Sequence, residues 1–77
     1  MEINTRYFKN ILKLKGFQLR DIASLLEIES VNLSHRVNNH KDFKLDEVKT
    51  ISDYLELTDN ELMEIFFPER RKLNEMV

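Results

Sequence analysis

The chain has no cysteine, no tryptophan, one glycine and one proline in 77 residues, and each absence removes a class of answer. Without cysteine there is no disulfide framework, no thiolate zinc site and no thiol nucleophile. A single glycine rules out a glycine-rich loop that could cradle a phosphate. A single proline leaves most of the chain without a helix breaker. No apolar run approaches the roughly 18 residues of a membrane span, and the asparagine-rich, charged beginning lacks a signal-peptide core. The two histidines, His35 and His40, stand five apart with no carboxylate cluster in a zinc pattern, so no metal, no cofactor and no catalysis are expected. The expectation is one small all-α domain, soluble and cytoplasmic, with no membrane and no small-molecule substrate as partner.

What is present is charge, unevenly placed. The net charge is −2, which by itself argues against a polyanion as partner. Residues 1–44, however, hold eight Lys and Arg against five Asp and Glu, a net of +3, whereas residues 45–77 hold four against nine, a net of −5. The front of the chain is the basic part. A +3 excess supports only modest non-specific attraction to phosphates, because that attraction grows with the number of phosphates neutralised.

Apolar spacing divides the chain into helices. Asn4 or Thr5 can cap a first helix ending near Lys15, with Tyr7, Phe8, Ile11, Leu12 and Leu14 as its apolar arc. Gly16 can take the left-handed conformation that ends it, with Phe17 folding back. Leu45, Val48, Ile51 and Leu55 predict a core helix over 45–56. Thr58 and Glu61 have the Thr-x-x-Glu form of a capping box, so a last bundle helix begins after Thr58. Leu62, Ile65 and Phe66 form its buried face, leaving Met63 and Phe67 as an apolar surplus that a subunit contact could cover. Pro68 stops this helix or starts another. Residues 68–77 are a tail, helical at most, whose Arg70, Arg71 and Lys72 read as a solvated cluster.

The stretch Gln18–Asn38 organises the rest. Leu19, Ile22, Ala23 and Leu26 lie on one face of a short helix, with Asp21 in its first turn. The small Ala23 marks a close helix crossing, since a larger side chain would push the axes apart. Glu27, Ile28 and Glu29 leave room for a turn. A second short helix, Ser30 to Asn38, has only Leu33 and Val37 as an inward pair. At 100° per residue the far side carries Val31, His35 and Asn38, flanked by Asn32, Ser34 and Asn39. None is acidic, and their amides, hydroxyls, imidazole and aliphatic group are of the kind that meets base edges in a DNA major groove.

Leu19-Arg-Asp-Ile-Ala23, then Leu26, Ile28, Leu33 and Asn38-Asn39, resemble the helix-turn-helix of the phage repressor and Cro-like regulators, over residues 5–67. That resemblance implies a compact bundle of five helices whose third helix reads the major groove while the second braces on the phosphate backbone. It implies base contacts from Ser30, Val31, Asn32 and His35. Backbone contacts would come from Gln18, Ser34 and Arg36, and from the following loop through Asn39, His40 and Lys41. Double-stranded DNA is the implied partner, and a homodimer would place half-sites about 34 to 36 Å apart. Two positions depart from the family pattern. Glu27 stands where a glycine is usual, and Gln18-Leu19 replace the Thr-Gln or Ser-Gln pair that opens the second helix.

The competing expectation is a helical module that keeps the bundle but binds protein, as an antitoxin or adaptor does, without touching DNA itself. The acidic second half of the chain suits that role.

Overall fold

The computed structural model describes residues 2–69. Among these, five helices follow one another: α1 (Thr5–Lys15), α2 (Leu19–Leu26), α3 (Ser30–Val37), α4 (Leu45–Leu55) and α5 (Asp59–Phe66). No described residue lies in a strand. The fold is an all-α bundle. The sequence boundaries hold to within a residue. Residues 68–69 are again helical; the rest of the tail, with Arg70, Arg71 and Lys72, lies outside the described residues.

Every element contributes to one core. Phe8, Ile11 and Leu12 of α1, Ile22 and Ala23 of α2, and Leu33 and Val37 of α3 are buried, as are Val48, Ile51 and Leu55 of α4 and Ile65 and Phe66 of α5. Phe43, in the loop before α4, joins them edge-on to Phe66 at a centroid distance of 5.6 Å, and Phe8 meets Phe66 at 6.0 Å. Three aromatic rings far apart in sequence thereby weld α1, α5 and the 38–44 loop together. Two leucines assigned to the core are not in it: Leu14 is 82% exposed and Leu45 78% exposed. On α1, Leu14 points more than 100° from the mean direction of Phe8, Ile11 and Leu12, beyond the buried arc. Leu45 is the first residue of α4 and lies about 90° from the direction of Val48, Ile51 and Leu55.

Helix starts are closed by side chains. Asn4 Oδ1 accepts from the Tyr7 N–H (3.1 Å) at α1. At α5 the reciprocal pair is complete: Glu61 N–H donates to Thr58 Oγ1 (3.1 Å) and Thr58 N–H to Glu61 Oε1 (2.9 Å). The Thr58 N–H holds the Glu61 carboxyl below its ordinary range, helped by Lys15 at 3.6 Å. At α2 the Gln18 N–H donates to Asp21 Oδ2 (2.7 Å).

Four helices end in one way. After α1, the Phe17 N–H reaches the Leu12 carbonyl and Gly16 has φ 83°. After α2, the Ile28 N–H reaches Ala23 O with Glu27 at φ 56°; after α3, His40 N–H reaches His35 O with Asn39 at φ 65°. After α4, Leu57 N–H reaches Ser52 O with Glu56 at φ 52°. These are Schellman closures, in which one left-handed residue lets the next amide bond back five residues. Only Gly16 occupies that conformation at no steric cost. The turn between α2 and α3 thus has the geometry a glycine would give, built with a glutamate.

Two outcomes test this packing. Ala23→Leu should destabilise the fold by about 1 to 3 kcal/mol through overpacking, read as a lower urea midpoint; an unchanged midpoint refutes the close crossing. Glu27→Gly should raise stability by about 0.5 to 1 kcal/mol, the left-handed strain relieved less the added chain entropy, and a fall in melting temperature would show that the glutamate side chain contributes something else there.

Candidate nucleic-acid interface

Helix α3 is eight residues long and buries two side chains, Leu33 and Val37. Its outward side is open. Val31 is 53% exposed, Ser30, Ser34 and His35 are exposed, and Asn32 is half-buried at the edge of the same face. Of the four residues expected to read bases, Val31 and His35 lie on the uncovered side with Asn32 at its edge, while Ser30, the first residue of the helix, is exposed at its start, on the flank of Leu33 and Val37. Asn38 shares the uncovered side, its Nδ2 donating to Ser34 Oγ at 3.2 Å. That residue belongs with the face on geometry, and its position at 100° spacing was the signal for it.

The six residues expected to touch the DNA backbone divide into two groups. Gln18, Ser34, His40 and Lys41 are exposed and hold no long-range partner through their side chains among the described residues, whereas Asn39, also exposed, is engaged through its amide and Arg36 is half-buried. At Gln18 the backbone N–H is already taken by Asp21, which leaves the amide side chain as its exposed donor. Arg36 and Asn39 are committed to the protein. The Arg36 guanidinium lies against Glu47, with Nε 3.4 Å from Oε1 and only 14% of the arginine side chain and 12% of the glutamate exposed. Arg36 Nε and Nη1 are buried without a hydrogen-bond partner. Glu47 Oε1 also accepts the Lys44 N–H at 2.8 Å. One carboxylate thus closes the start of α4 and holds the flank of α3 at the same time.

Asn39 does the equivalent at the end of α3. The Ile3 N–H donates to its Oδ1 (2.8 Å) and its Nδ2 donates to the Ile3 carbonyl (3.1 Å), so its amide pairs with a backbone 36 positions away as a strand would. The Thr5 hydroxyl donates to the Val37 carbonyl, and Asn4 N–H donates to Ile65 O at 2.7 Å. The segment before α1 is therefore a strap across the ends of α3 and α5. Sequence spacing gave no sign of it.

His35 and His40 meet, with ring centroids 6.1 Å apart and planes at 81°. Five residues apart on a continuous helix they would diverge. The closure after α3 instead returns His40 over His35, at the place where an apolar pair often sits. Among the described residues no group of three or more His, Cys, Asp or Glu is arranged to hold a metal ion. None of the described helices is long and apolar enough to cross a membrane.

No family model, no curated protein and no solved structure matches the chain.

The mostly buried Arg36–Glu47 pair predicts that Glu47→Ala costs about 3 kcal/mol, because it strands a desolvated guanidinium. Combining Arg36→Met with Glu47→Leu should recover most of that loss. Denaturant unfolding of the three proteins checks it, and a single-variant loss below about 0.5 kcal/mol would place the pair among weak surface bridges.

Proposed function

We propose that the chain is a sequence-specific double-stranded DNA-binding regulator of the phage repressor or Cro type, acting by laying α3 in a major groove. The observation that carries this reading is the open outward face of α3, which holds amide, hydroxyl, imidazole and aliphatic groups and no carboxylate. A soluble helix with only two buried residues needs some reason to present such a side, and base edges offer complementary donors, acceptors and thymine methyls. Support also comes from the way α3 is held. A reading element has to be fixed within fractions of an ångström, and α3 is fastened at its flank by Glu47 and at its end through Asn39 and Thr5.

The roles divide accordingly. Ser30, Val31, Asn32 and His35 read bases, with Asn38 at the far end of the face. Gln18, Ser34, His40 and Lys41 contact phosphates or sugars. Arg36 and Asn39 act as positioning residues, since their polar groups face Glu47 and Ile3. With two of the six backbone contacts withdrawn, a single copy neutralises few phosphates, and a homodimer on a near-palindrome supplies the missing affinity. Occupying such a site blocks or recruits polymerase, so repression and activation are both open to this architecture.

Selection from a random duplex pool at two salt concentrations should recover a defined motif. On that motif Asn32→Ala and His35→Ala should each lose about 1 to 3 kcal/mol, roughly 5- to 150-fold in Kd, while binding to random DNA changes little. Equal losses on random DNA, or no recovered motif, would sink the reading and favour a module that binds protein alone.

A further inference from the structure

On the other flank of α4 the surface changes character. A groove of about 600 Å³ opens between α4 and α5, lined by Leu45, Val48, Leu62 and Phe67, with Asp46, Asp53, Lys49 and Ser52 along its α4 wall. At 100° per residue, Leu45, Lys49, Ser52 and Asp53 project on the side of α4 opposite Glu47 and Tyr54. Glu47 holds α3 and Tyr54 packs on Phe17 at 5.1 Å. The groove and the place where α3 is held therefore lie on opposite flanks of α4. Leu45, 78% exposed at the mouth of the groove, has no part in the fold's own core.

We infer that this groove is a docking site for a basic amphipathic helix of a partner protein. A third helix completes the packing that two neighbouring helices leave open, seating apolar side chains at i, i+3, i+4 and i+7 over Leu45, Val48, Leu62 and Phe67. The charge of the surroundings selects its sign. The α4 wall itself carries two acids, Asp46 and Asp53, against one base, Lys49. A helix carrying Lys or Arg beside its apolar stripe meets opposite charge there, whereas an acidic one meets repulsion. Because the groove faces away from α3, its occupant leaves the α3 surface open, and on the proposed reading of α3 it can bind together with DNA.

The test uses the full chain, isotope-labelled, titrated with an amphipathic leucine–lysine peptide of about four helical turns and with its counterpart carrying glutamate for lysine. Expected are saturable amide shifts confined to residues 45–53, Leu62 and Phe67 with the lysine peptide only. Leu45→Glu and Asp53→Lys should each weaken that binding at least tenfold, both variants keeping the α3 amide positions and any DNA affinity of the parent. Equal binding of the glutamate peptide, shifts centred on α3, or no saturation would overturn the inference. So would two other occupants: residues 70–77, if the peptide binds only after they are deleted, or a second copy, if the groove amides shift on dilution without peptide. Failure of the DNA selection leaves these outcomes unaffected, so the two readings fail separately.

Discussion

An eight-residue helix that buries two side chains cannot hold itself, and the arrangement of this protein follows from that constraint. Apolar contact fixes how deep α3 sits, through Leu33 and Val37, but a stripe that narrow leaves the helix able to roll about its axis. Polar groups stop the roll. Glu47 grips the flank through Arg36, and the strap before α1 grips the end through Asn39 and Thr5. Charged and amide side chains on α3 that look, from composition, like surface available to a ligand are spent on orientation instead. What remains uncovered is the uncharged side.

Local chemistry made much of this visible in the sequence, and long-range chemistry did not. Thr58 and Glu61 mark the start of α5, and Gly16 the end of α1, because each signal acts within five residues. The open face of α3 follows from the same arithmetic: two inward aliphatics leave the rest of a short helix outside. Leu14 and Leu45 show where being apolar misleads. Both stand near the stripe, yet at 100° per residue each projects beyond the buried arc of its helix and is exposed. Arg36 on α3 and Asn39 just past its end were legible as polar, but their partners are 11 and 36 positions away. The meeting of His35 and His40 was not legible, because it depends on the closure after α3 folding the chain back.

The acidic half of the chain and the basic half answer to different needs. Around α3 a carboxylate would repel phosphate, and the outward face has none. Along α4 and α5 carboxylates collect, residues 45–69 holding eight Asp and Glu against the single Lys49. A net charge of −2 hides this uneven placement along the chain.

The repeated closure at the ends of α1, α2, α3 and α4 also bears on how the chain reaches its shape. Each closure reverses direction within a couple of residues, yet much of the packing that results joins helices distant in sequence: α1 lies on α5, and α2 on α4 as well as on α3. The Asn4 N–H bonds the Ile65 carbonyl and Phe8 meets Phe66, so the two ends of the described chain must come together before the core is complete, and such pairings carry the loop-closure cost that slows folding. The strap of Ile3 on Asn39, a pairing across 36 positions, belongs with them. The outward helix would then gain its final orientation only once the beginning of the chain has come to rest.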